Sequence, residues 1–166
     1  IPNVQPTDAG TYAVVVTNSA GSVTSAGAVL TVWVPPAITT QPQSRANVAG
    51  TSAAFVVAAS GTAPLSYQWQ FNGLNLLGAT GTGLTLNNLQ ASDAGNYAVV
   101  VTNSGGSITS AVAILTVWVP PTIGSQPQSR TNVVGTSAAF SVIASGTAPF
   151  SYQWQFNSAN IAGATG

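Results

Sequence analysis

The chain repeats itself at a fixed distance. Tyr12-Ala-Val-Val-Val-Thr-Asn-Ser recurs residue for residue from Tyr97, and Ser66-Tyr-Gln-Trp-Gln-Phe-Asn recurs from Ser151. Trp33 and Trp118, Arg45 and Arg130, and Asp8 and Asp93 are related by the same step of 85 residues. A repeat of this length is one small domain, so the chain must be read as a tandem array. The phase of the repeat sets the expected boundaries. Residues 1–34 align with 86–119, residues 35–81 align with 120–166, and only Thr82, Gly83, Leu84 and Thr85 lack a counterpart. The expected organisation is one complete repeat at 35–119. Before it comes the C-terminal half of a repeat (1–34), and after it the N-terminal half of another (120–166). Because the chain opens on Ile1 with no signal peptide, it reads as a processed or excised segment. Two explanations of the cut stay open: a window of a longer continuous array, or halves that complete one another between subunits of a filament.

Within the complete repeat, short alternating runs separated by Gly, Pro, Asn and Asp predict strands. Phe55, Val57 and Ala59 share one face of a run at 52–59, and Leu65, Tyr67, Trp69 and Phe71 share one face of the next. Leu84 and Leu86 form a third inward pair with Leu89 just beyond. Tyr97, Val99 and Val101 form a fourth set, and Leu115, Val117 and Val119 a fifth. Asn103-Ser-Gly-Gly between the last two runs predicts a hairpin turn. No stretch of ten residues or more carries a helical period. The Pro-Pro pairs at 35–36 and 120–121 mark the junctions between repeats. Proline lacks a ladder donor and stiffens the chain, so these short linkers predict a semi-rigid string of domains.

Composition narrows the function. Charged residues make up 2% of the chain, which has two Lys+Arg, two Asp+Glu, no His and no Cys. Two isolated arginines cannot form the basic patch that nucleic acid requires. No apolar run reaches the roughly 18 residues of a membrane span, so membrane insertion is not expected. General acid–base and nucleophilic chemistry need His, Lys, Cys or a carboxylate pair. The only carboxylates, Asp8 and Asp93, occupy equivalent places in different repeats. No catalytic residue, cofactor or metal site is therefore assigned; calcium in particular needs several oxygen ligands, commonly carboxylates.

At this point the sequence resembles a known family. Asp93-Ala-Gly95-Asn-Tyr97-Ala-Val99 follows the Asp-x-Gly-x-Tyr-x-Cys pattern of immunoglobulin strand F, with Val for Cys, and Asp8-Ala-Gly10-Thr-Tyr12-Ala-Val14 repeats it. Trp69 and Trp154 match the strand C tryptophan. The chain is similar to the cysteine-free, I-set type immunoglobulin-like repeats found in tandem in large bacterial surface and secreted proteins. That resemblance implies an all-β fold of tandem Greek-key sandwiches, with strands E-F-G in 1–34 and strands A-B-C in 120–166. It places Val57, Trp69, Tyr97, Val99, Val142, Trp154, Tyr12 and Val14 in the core, with Val57 and Val99 where the family keeps its disulfide. It places Asp8, Gly10, Asp93 and Gly95 in the turn before strand F, and it implies an extracellular or cell-surface location.

The outward positions are the candidate interface. Val56, Val100, Val112 and Ile114 point away from the core on both sheets, with almost no charge to oppose association. Trp33 and Trp118 also point outward, beside the Pro-Pro junctions. Three readings of these tryptophans stay open: packing on the next domain, contact with a neighbouring chain, and a sugar-stacking platform. The expected partner is the protein itself, through neighbouring repeats or subunits of a filament. A glycan or cell-surface protein, bound by an adhesin-type module, is the alternative.

Overall fold

The computed structural model describes all residues, 1–166. Residues 1–34 form β1 (Gly10–Tyr12), β2 (Val15–Asn18), β3 (Gly21–Thr24) and β4 (Ala28–Leu30). β2 and β3 make a hairpin, and β1 pairs antiparallel with β4. Next come β5 (Ala37–Thr40), β6 (Arg45–Val48), β7 (Ala53–Val56), β8 (Ala58–Ser60), β9 (Ser66–Phe71) and β10 (Leu74–Asn75). β11 (Gly83–Leu86), β12 (Gly95–Asn103), β13 (Gly106–Thr109) and β14 (Ala113–Trp118) complete this repeat. The last segment holds β15 (Thr122–Ser125), β16 (Ile143–Ser145), β17 (Gln155–Phe156) and β18 (Ala159–Asn160).

The central repeat makes two layers. One sheet runs β10-β9-β12-β14-β6, with β13 also on β12. β6 joins β14 in parallel, Leu115 opposite Arg45, at the edge of that sheet. The other layer contains the ladders β5-β8 and β11-β7. β7 and β8 are one run interrupted at Val57, whose N–H bonds to the Thr82 carbonyl at 2.9 Å. The alternation of the sequence becomes alternation of burial. In β14, Ala113, Leu115 and Val117 are buried while Ile114, Thr116 and Trp118 are exposed, as expected where one face packs and the other meets solvent.

Spatially the chain groups into two compact units that do not follow the repeat boundaries: residues 1–44, 54–85 and 96–114 form one, and 45–53, 86–95 and 115–166 the other. In the first, Phe55, Val57, Trp69, Leu84, Tyr97, Val99, Val101 and Ala113 are buried. Phe55 stacks on Tyr97 with centroids 4.9 Å apart and tilts against Trp69 at 6.2 Å. The Trp69 indole donates to the Gly81 carbonyl at 3.0 Å, which lets the ring be buried without stranding its N–H. Val57 and Val99 are both buried with Trp69. Each valine contributes about 1.5–3 kcal/mol by burial, comparable with the roughly 2–4 kcal/mol of the bridge they replace. In the second unit Ala53, Leu89, Leu115 and Val117 are buried. There Leu89 is held at both backbone atoms, its N–H on the Thr51 carbonyl at 2.9 Å and its carbonyl under the Gly50 N–H at 2.8 Å.

Four residues expected in the core lie more open than their counterparts in the central repeat. Tyr12 is 44% and Val14 58% exposed, against 3% for Tyr97 and 0% for Val99. Val142 and Trp154 are only half-buried. The reason is the absence of a facing layer. Residues 1–34 form only two-stranded ladders, and in 120–166 strands persist only where the segment itself supplies the partner, at β15-β16 and β17-β18. The stretches equivalent to β6 and β7 make no ladder there. Without a second layer the apolar face of a sheet stays in water.

Candidate functional site

Three features of the surface are built well enough to carry function: the corner before β12, the junctions between repeats, and the outward faces. The corner is the most local. A 3-10 turn at Pro6–Asp8 is followed by Gly10, and its counterpart at Ala91–Asp93 by Gly95. The Asp8 carboxylate accepts the Gln5 N–H at 2.7 Å and the Asp93 carboxylate accepts the Gln90 N–H at 2.8 Å. Tyr12 donates its hydroxyl to the Asp8 backbone carbonyl at 2.6 Å. Asp holds the turn through its side chain, and Tyr locks it through the backbone. No group of three or more His, Cys, Asp or Glu side chains lies close enough to hold a metal ion. No helix is long and apolar enough to cross a membrane.

The junctions are where sequence reasoning missed the decisive residues. Val34 gives its N–H to Thr62 Oγ1 at 2.8 Å and receives the Thr62 N–H on its carbonyl at 3.0 Å. The next boundary repeats the pair: Val119 N–H to Thr147 Oγ1 at 2.7 Å, and Thr147 N–H to the Val119 carbonyl at 2.9 Å. Asn103 reinforces the first junction, its amide donating to the carbonyls of Val34 at 2.7 Å and Thr62 at 2.9 Å. Its Oδ1 accepts the Gly105 N–H at 2.8 Å. The chain passes so close that a Cβ on Gly61, at φ +144°, would sit 3.0 Å from the Pro35 carbonyl. On Gly146, at φ +135°, it would sit 2.8 Å from that of Pro120. Only glycine tolerates both the angle and the approach. The signal was present in the repeated Gly-Thr-Ala-Pro at 61 and 146, but its partner lies far away in sequence. Replacing Asn103 by Ala is expected to cost about 1 kcal/mol. Hydrogen exchange should speed up at the Thr62 amide while the Val99 amide keeps its protection.

The expected interface residues divide. Val56, Val112, Ile114, Trp33 and Trp118 are exposed, whereas Val100 is half-covered within the sheet. Its position in β12 explains this: Val100 lies between Gln68 of β9 and Thr109 of β13, flanked on both sides. Neither Trp33 nor Trp118 makes a ring contact with another aromatic side chain. A shallow cleft of about 360 Å³ is lined by Gln70, Asn72, Asn96 and Thr109 together with apolar Ala98 and Val112. No aromatic residue lines it.

Two β-layers, a buried tryptophan and a tyrosine on the strand paired beside it define an immunoglobulin-like sandwich. Residues 35–103 match the immunoglobulin domain family. It is similar to Endoglucanase C of Cellulomonas fimi, 34% identical over 72% of this chain and 11% of the relative. It is also similar to human Roundabout homolog 3, 31% identical over 89% of this chain and 11% of the relative. The chain thus spans about a tenth of the length of these curated relatives. Among solved structures, an I-band fragment of titin superposes with a TM-score of 0.79, covering 95% of this chain and 59% of that one at 22% identity. That likeness shows the fold of tandem immunoglobulin domains. The fold is typically non-catalytic and serves structural and cell-surface proteins as a module.

Proposed function

We infer that the chain is a segment of an extracellular structural array, its immunoglobulin-like repeats set in line by rigid junctions and associating through uncharged outer faces. In this reading 35–119 is one complete domain, and 1–34 and 120–166 belong to its neighbours. The observation that carries it is the junction: both boundaries use the same reciprocal pair of hydrogen bonds, Val34 with Thr62 and Val119 with Thr147. A linker meant to flex would not be pinned at its first residue and pressed against a glycine at each crossing. The role is structural rather than enzymatic, supported by two carboxylates in different repeats and the lack of His, Lys or Cys. A surface or secreted bacterial protein suits the family likeness.

Chains carrying increasing numbers of repeats test the array. Small-angle scattering should show the longest dimension growing in proportion to repeat number, as for a semi-rigid rod. Growth as the square root of repeat number, the law of a flexible linker, would overturn the reading. Association through the outer faces has its own signature. Charge-poor surfaces leave little for salt to screen, so self-association is expected to change less than about twofold between low and high sodium chloride and to strengthen in ammonium sulfate. Weakening by sodium chloride, measured by sedimentation, would argue for an ionic interface. The adhesin alternative rests on exposed Trp33 and Trp118, and the amide-lined cleft brings no aromatic ring to its support.

A further inference from the structure

The hairpin between β9 and β10 turns on Asn72-Gly73, the one place in the chain where Asn precedes Gly. Leu74 pairs with Phe71, so these two residues alone make the turn. Both take positive φ, 48° and 82°, as such a tight hairpin requires. Both are exposed, and a Cβ placed on Gly73 would meet nothing within 4 Å. The approach to the Gly73 backbone nitrogen is therefore open. That nitrogen and the Asn72 side-chain carbonyl carbon belong to adjacent residues, so their reaction needs no encounter. The carbonyl is also polarised: the Asn96 backbone N–H donates to Asn72 Oδ1 at 3.0 Å, on the oxygen where negative charge develops as its carbon is attacked. We propose that Asn72 is a self-modification site, converted in the folded protein through a succinimide with Gly73 to aspartate and isoaspartate, with water as the only co-reactant.

The Gly73 nitrogen forms a bond to Asn72 Cγ and gives up its proton. The bond from Cγ to Nδ2 breaks, and Nδ2 leaves with that proton as ammonia. Water then opens the ring. Addition at Cγ yields aspartate. Addition at the backbone carbonyl carbon of residue 72 yields isoaspartate, whose main chain runs through Cβ and Cγ. The two products have different effects. An aspartate carboxylate accepts the Asn96 N–H as Oδ1 does, and more strongly, so the tie between the turn and β12 survives. Isoaspartate lengthens the main chain inside a turn that has no slack. The pairing of Leu74 with Phe71 and of Asn75 with Gln70 is then expected to fail, together with the bond from the Leu76 N–H to the Trp69 carbonyl at 2.9 Å. Either product puts a negative charge on a chain whose net charge is zero. The chain carries its own comparison. Asn157-Ser158 occupies the same place in the repeated heptapeptide and also takes positive φ, 44° and 67°. There the Ser158 side chain crowds the attacking nitrogen, so the reaction is assigned to Asn72 and not to Asn157. The assignment does not depend on the array reading above.

The test ages the full 166-residue chain in mildly alkaline buffer, folded and in urea, and maps the products by mass spectrometry. In the folded chain Asn72 should become acid, with ammonia released in equal amount. When half of Asn72 has converted, Asn157 should still be amide. Gly73→Ser should abolish the conversion. This variant is expected to keep its fold, checked by circular dichroism, because its Cβ meets nothing and Ser158 already holds the same kind of turn. Ion exchange separates the aged forms by their new charge. Hydrogen exchange at the Leu76 amide should stay slow in Asn72→Asp, which reproduces the first product, and speed up in the isoaspartate fraction. An Asn72 that stays amide in the folded chain while it converts in urea would overturn the proposal. So would equal conversion at Asn157, or undiminished conversion in Gly73→Ser.

Discussion

Replacing Trp69 by Ala should remove about 3–5 kcal/mol of stability, much of the roughly 5–15 kcal/mol that a domain this size holds. Trp69 is fully buried, meets Phe55, and satisfies its indole N–H on Gly81. The chain supplies its own control. Trp154 sits in the same heptapeptide and makes the equivalent bond to Gly166, but is only half-buried. Trp154→Ala should therefore leave the main urea transition of the dilute, monomeric protein nearly where it was. Equal losses for the two variants, followed by circular dichroism, would mean that residues 120–166 are as well packed as the central repeat.

The second large effect isolates the value of one buried hydroxyl. Ser110 Oγ accepts the Val99 N–H at 3.0 Å and donates to the Ala111 carbonyl at 2.8 Å, at a buried position where β13 gives way to β14. Ser110→Ala strands the Val99 N–H in the core, and the expected loss is about 1–3 kcal/mol. Ser25 makes the same two bonds, to Val14 at 3.0 Å and Ala26 at 2.9 Å, but in the open. There water replaces the hydroxyl, and Ser25→Ala should cost only a few tenths of a kcal/mol. Matched denaturation curves of the two variants measure the difference. A small loss at Ser110 would show that water reaches the Val99 N–H.

Much of the fold was legible because its signals are local. Alternation fixed which residues of β12 and β14 share a face, and Asn103-Ser-Gly-Gly announced the turn between β12 and β13. The Asp–Gly–Tyr spacing marked the corner before β12, and the Tyr12 hydroxyl on Asp8 shows how such a corner is locked. The junction was half legible. The Pro-Pro pairs marked its place, but Thr62 and Asn103 lie 28 and 69 residues from the Val34 they hold. Nothing in a single sequence reports so distant a pairing. The half-cover of Val100 was illegible for a similar reason: its outward direction follows from alternation, but its cover comes from strands on either side.

The sequence by itself determined the repeat, its length, the strand pattern and the poverty in ionisable groups. Those depend on residue identity and spacing alone, and they fix the fold class. Only the tertiary structure decided which copies of the pattern become core. Tyr12-Ala-Val-Val-Val-Thr-Asn-Ser and its twin from Tyr97 are the same eight residues, yet Tyr12, Val14 and Val16 lie open while Tyr97, Val99 and Val101 are buried. Burial is a property of a side chain and of whatever stands opposite it. A strand can specify which face is apolar, but a second layer must be present before that face leaves the water.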